Sequence, residues 1–191
     1  MKKIIALVFI MVAVTTIHAQ GFHMGVKAGA NLNKMDGESF NSNFRLGYEL
    51  GGFAEIDFSK SIGIQPELLF DQTNTTVTNS GSQIFNVNSG DNIQLNYLSI
   101  PVLLKINTGL LTIHLGPQYS ILINNHKTTL QNSQDAFKSG NFAVIAGLQL
   151  NLQLLKIYAR YTVGLSDIND IGSQNKWTSQ QIQFGLGLRV F

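Results

Sequence analysis

The stretch QIQFGLGLRVF, Gln181 to Phe191, constrains the fold most. In an extended strand successive side chains point to opposite faces. Ile182, Phe184, Leu186, Leu188 and Val190 therefore share one side, and Gln183, Gly185, Gly187 and Arg189 share the other. A strand this long, with one uninterrupted apolar face and an aromatic last residue, suits the lipid-facing wall of a membrane β-barrel.

The same alternation recurs upstream. It is read over Phe22 to Leu32, Phe44 to Asp57, Ile62 to Gln72, Ile93 to Asn107, Thr112 to Asn124, the segment from Phe142 to Gln153, and Lys156 to Ser166. With the last stretch this makes eight strands, about the number that 191 residues can supply at membrane-spanning length together with loops. The predicted fold is all-β: an eight-stranded antiparallel up-and-down transmembrane barrel with almost no helix. Its connections alternate strictly, long then short. Long polar segments lie at Asn33 to Asn43, Thr73 to Asn92, Asn125 to Gly140 and Asp167 to Gln180, and tight turns at Phe58 to Ser61, Thr108 to Leu111 and Leu154-Leu155. Transmembrane barrels keep short turns on the periplasmic side and longer loops outside, so both chain ends are expected in the periplasm.

Composition agrees. Charged residues are 13% of the chain, about half the usual share in a soluble domain. Too little charge is present to coat the outside of a soluble ligand-binding barrel, which would show the same alternation with its faces reversed. Residues 1–20 read as a signal peptide: Lys2 and Lys3 precede an apolar centre, Ile4 to Val14, and Ala19 is a small residue at a cleavage position. The remainder, residues 21–191, is read as one barrel domain. Removing the leader takes away two lysines and no acid, which leaves 11 basic and 11 acidic residues. No basic run points to nucleic acid as a partner. With no cysteine there is no disulfide, thiolate metal site or lipid-attachment cysteine.

Three prolines, Pro66, Pro101 and Pro117, fall inside strands, where each removes a ladder donor; bulges are expected there and at Gly51-Gly52. Phe44, Phe70 and Phe142 toward the loop side, with Phe22, Phe58 and Phe191 toward the turn side, read as interfacial girdles.

Beyond these patterns the chain resembles the PorT-like, or "outer membrane protein β-barrel domain", family of Gram-negative envelopes. The matching stretches are GVKAGANL (Gly25 to Leu32), IGIQPELLF (Ile62 to Phe70), NYLSIPVLLK (Asn96 to Lys105), IYARYTVGLSDI (Ile157 to Ile168) and QFGLGLRVF. The resemblance implies an eight-stranded outer-membrane barrel, and its named member is linked to secretion of proteins across that membrane.

Function is less legible. The inward faces carry Lys27, Arg45, Glu49, Glu67, Lys105, Arg160 and Arg189, with Glu55 and Asp71 also assigned inward. These charges fit either a channel or a packed lumen in which acids and bases pair, and eight strands leave room for little more than side chains. Arg45, Arg160 and Arg189 are expected to meet Glu49 and Glu67. His23, His114 and His126 show no metal-ligand spacing. His126 with Asp71 or Asp135 is the sole conceivable rim catalytic set, so the chain is read as no enzyme, without cofactor, metal or catalytic residues. The expected partners are outer-membrane lipid, the outer-membrane assembly machinery acting on the C-terminal strand, and an envelope or secretion protein, with the barrel itself a monomer. A small-solute porin and a rim enzyme stand as the competing readings.

Overall fold

The computed structural model describes residues 21–36, 44–76, 92–123, 140–165 and 178–191. Eight strands close into an antiparallel barrel: β1 Gly21–Asp36, β2 Arg45–Asp57, β3 Ile62–Thr76, β4 Asn92–Asn107, β5 Leu111–Leu122, β6 Gly140–Leu152, β7 Leu155–Gly164 and β8 Thr178–Arg189. Each strand pairs with its sequence neighbours, and β1 pairs with β8. Closure matters physically, since a sheet in lipid has no water to satisfy an open edge.

The register determines how wide the barrel is. From Gly21 the paired residues run to Asp57, Gly63, Lys105, His114, Gly147, Arg160 and Gln183, and return to β1 at Asn31. One circuit thus ends ten residues further along β1, from Gly21 to Asn31. Eight strands with that stagger tilt by about 40° and place the backbone on a cylinder of roughly 8 Å radius. Side chains fill such an interior.

The faces follow the alternation in the sequence. Along β7, Leu155, Ile157, Ala159, Tyr161 and Val163 are exposed, while Lys156, Tyr158, Arg160, Thr162 and Gly164 are buried. The outward wall is a band of aliphatic side chains such as Val26, Leu50, Leu115, Leu148, Leu186 and Leu188. Phe44 and Phe142 lie on it near the loop end, and Phe22, Phe58 and Phe191 near the turn end. Tyr119 packs on Phe142 with ring centroids 4.8 Å apart, and Tyr48 stacks on Phe70 at 6.1 Å.

The expected bulges are absent, a correction with a clear cause. The β1–β2 pairing runs unbroken through Gly51 and Gly52. At the prolines the register is the same before and after, and what is lost is local pairing on one side only. Pro66 pairs with Val102 of β4 but with nothing on β2. Pro101 pairs with Gln118 of β5 but not with β3, and Pro117 with Val144 of β6 but not with β4. A strand residue directs its N–H toward one neighbour, so proline removes one bond from one ladder and leaves the other intact.

The strands also reach further than the alternation suggested at the loop end: β1 to Asp36, β3 to Thr76, β8 back to Thr178. The turns are as short as expected, although the last falls at Gln153 and Leu154 rather than Leu154-Leu155. Gly109 and Gln153 adopt positive φ, 89° and 57°, to close two of them. In the first turn the Ser59 hydroxyl oxygen accepts from the Ile62 amide at 3.0 Å. The signal-peptide reading, His126 and Asp135 lie outside the described residues.

Candidate functional site

Among the described residues, the barrel interior is where polar and charged side chains gather. Its polar side chains fall into three levels. At the middle, Arg160 of β7 donates from both terminal nitrogens to the two oxygens of Glu67 on β3, each at 2.8 Å. Lys27 of β1 donates to the same carboxylate at 3.0 Å and stands 3.8 Å from Glu49. Gln65 adds a bond to Glu67 at 2.7 Å. Two cations face two carboxylates, and all four residues are buried. A buried pair of this kind holds only where the remaining hydrogen-bonding capacity is met, and the bidentate fork meets it for Glu67.

Tyr158 organises the same level. Its hydroxyl donates to Glu49 at 2.6 Å, and its ring receives the Lys27 ammonium 3.9 Å from the centroid and the Arg160 guanidinium at 4.9 Å. The ring can lie there because the inward positions it crosses, Gly185 and Gly29, have no side chain. A Cβ on either would stand 2.2 or 2.7 Å from the Tyr158 oxygen. Arg160 also bonds Nδ1 of His114 at 3.2 Å. Guanidinium can only donate, so Nδ1 is the acceptor and the ring proton sits on Nε2.

Toward the turn end a second balanced group forms. Lys105 contacts Glu55 and Asp57, each at 3.0 Å, and Lys156 contacts Glu55 at 3.0 Å. Asn151, Thr112 and Asn107 continue it as a hydrogen-bonded chain. Toward the loop end the third level is different: Asp71 accepts from Asn31 at 2.6 Å and from Gln181 at 3.1 Å to each oxygen. Beside it lies a cavity of about 40 Å³.

The inward assignments of Lys27, Glu49, Glu55, Glu67, Asp71, Lys105 and Arg160 hold, and all seven are buried. Two expected pairings do not. Arg45 and Arg189 sit partly exposed near opposite mouths and form no ion pair with Glu49 or Glu67; Lys27 and Tyr158 take that place at Glu49. Lys156 was missed as a lumen charge although its parity along β7 marks it as inward. The lumen is also less polar than its alternation implied, since Phe53, Leu69, Leu103 and Ile145 are buried in it. Of the rim set, Asp71 is buried in the loop-end cluster and bonded there to Asn31 and Gln181. No group of three or more His, Cys, Asp or Glu among the described residues is placed to hold a metal ion.

Comparisons with known proteins agree with this geometry. The family model described as "Outer membrane protein beta-barrel domain" matches residues 18–170. Comparison with curated proteins gives no match. Among solved structures, the chain is similar to Neisserial surface protein A, at 12% identity and a TM-score of 0.56, covering 88% of this chain and 99% of that one. It is similar to Ail, the attachment invasion locus protein of Yersinia pestis, in complex with the heparin analogue sucrose octasulfate, at 14% identity and 0.53, covering 88% and 98%. It is also similar to OprG from Pseudomonas aeruginosa, at 12% identity and 0.51, covering 88% and 95%. At these identities the likeness is one of fold.

Proposed function

Because the chain belongs to the outer membrane protein beta-barrel domain family, we propose that it serves the Gram-negative envelope as a closed, monomeric scaffold that presents its long loops to a partner. The observation that carries this reading is the Arg160–Glu67–Lys27 cluster, which crosses the middle of the lumen with every charge paired and buried. A solute path would have to break a bidentate ion pair that water does not reach. That argues against the small-solute porin and leaves the loops as the surface for function. In this reading the short turns and both chain ends face the periplasm, residues 1–20 direct export, and the assembly machinery engages the C-terminal strand.

The family resemblance carried by IGIQPELLF and NYLSIPVLLK gives the partner a class: a protein of the envelope, with the barrel accessory to secretion. No enzyme activity is assigned. The test is to shorten the segments 77–91, 124–139 and 166–177, which lie between strands, and to compare the truncated barrel with a full deletion. The truncated protein is expected to fold, to keep its heat-dependent gel mobility, and to show the deletion phenotype. Full complementation by the truncated barrel would overturn the reading.

A further inference from the structure

Asp71 is the exception among the buried carboxylates of this lumen. Glu49, Glu55 and Glu67 each have an ammonium or guanidinium within 4 Å. Asp71 has none among the described residues, and its hydrogen bonds come from the neutral amides of Asn31 and Gln181. A buried anion without countercharge is costly, and neutral donors offset only part of that cost.

The adjoining cavity is lined by further unsatisfied groups. Gln118 Oε1, Thr162 Oγ1 and Asn141 Oδ1 are buried atoms with no hydrogen-bond partner, and all three residues line the same cavity as Asp71. Gln118 and Thr162 are themselves only 4% and 5% exposed. Three residues with unpartnered oxygens and one unbalanced carboxylate thus line a volume of about 40 Å³, which exceeds the space of a single water. We propose that this loop-end cavity is a binding site for an alkali cation, sodium or potassium, held by Asp71 with Gln118, Asn141 and Thr162.

The donor set gives the class of ion. Oxygen ligands select hard cations, and the absence of sulfur or imidazole among the described residues of the wall argues against softer transition metals. Calcium takes roughly six to eight oxygens, often from several carboxylates, and magnesium keeps several of its waters, for which about 40 Å³ leaves little room, whereas a single formal negative charge matches a monovalent ion. Lys34 lines the cavity too, and its positive charge limits affinity. Binding is therefore expected to be weak and to follow the salt of the medium.

An ion that binds the folded barrel and not the unfolded chain raises its stability. The full chain, refolded in phospholipid bicelles, is heated in sodium chloride, in potassium chloride and in N-methyl-D-glucamine chloride at equal ionic strength, and unfolding is read by gel mobility. The midpoint is expected to be higher in sodium or potassium than in the bulky organic cation. Asp71→Asn should abolish the difference and Thr162→Val should reduce it. Equal midpoints in the three salts, or a difference that Asp71→Asn retains, overturn the proposal. A midpoint of the unaltered protein that is the same in all three salts, together with a higher one in Asp71→Asn, shows that Asp71 holds a proton instead, and overturns it equally. Should Asp71→Asn fail to fold, crystals of the unaltered protein soaked in rubidium chloride decide: an anomalous peak beside Asp71 supports the site, and its absence there excludes it.

Discussion

The Tyr158 hydroxyl reaches across two strands to donate a 2.6 Å hydrogen bond to Glu49. The path is set by the register: Tyr158 pairs with Gly185, Gly185 with Gly29, and Gly29 with Glu49. One aromatic side chain on β7 thereby satisfies a buried carboxylate on β2, over two positions that must be glycine for the ring to lie flat.

Tyr158→Phe keeps the ring and removes that donor from a carboxylate whose Oε2 already has no hydrogen-bond partner. The expected loss is about 1.5–3 kcal/mol, the range for hydrogen bonds to charged groups. Urea unfolding of the barrel in lipid vesicles measures it. An unchanged midpoint would show that Glu49 is satisfied by Lys27 alone. Gly185→Ala should also destabilise, by displacing the ring.

Glu67 is the hub of the middle level, so its removal leaves Arg160 without its bidentate partner and Lys27 with Glu49 alone. Glu67→Gln is expected to cost about 3–5 kcal/mol, and Arg160→Met a comparable amount, as for other broken buried pairs. The double variant should cost clearly less than both together, because neither partner is then left unpaired. A double-mutant cycle in urea checks this, and additive losses would mean that the fork is not coupled.

How far all this could be read from the chain depends on range. Inward and outward faces were legible because they need only the period of two and the scarcity of charge, which is why Glu55 and Asp71 fall inside as expected. Strand number and turn positions followed from the same local signals. The bulges did not appear, because a proline's missing donor affects one ladder only, as at Pro117. Which acid meets which base was not legible: Glu67 and Arg160 are 93 residues apart, and only the ten-residue stagger brings them to one level. The part played by Tyr158 was hidden for the same reason, since two glycines on other strands make its space. Leu69 and Ile145 are apolar on the inward side, and only their parity with Glu67 and Asp71, and with Gly147 and Gln149, marks them as lumen residues.

A closed lumen has an electrical signature. Purified protein in planar bilayers is expected to give no steady open channel, since the ion-pair cluster occupies the cross-section. Replacing both Glu67 and Arg160 by Ala removes the bidentate plug without stranding either charge, and should produce openings that the parent lacks. Stable single-channel steps from the parent protein, lost on substituting Arg160, would instead favour a solute pore.

The outward wall makes the last prediction. Phe184 is exposed on β8 between Ala30 of β1 and Ala159 of β7, so its ring supplies most of the apolar bulk at that point of the wall. A cationic side chain facing lipid costs about 2–4 kcal/mol near the bilayer midplane, less toward the interfaces. Folded proteins are stable by roughly 5–15 kcal/mol in total, so Phe184→Arg should remove a large part of the margin. Phe184→Leu keeps an apolar surface and should be tolerated. The expected result is that Phe184→Arg fails to reach the outer membrane at normal levels and collects as unfolded, heat-unmodifiable protein, while Phe184→Leu assembles. Equal outer-membrane levels of the two variants would mean that this face of β8 does not meet lipid.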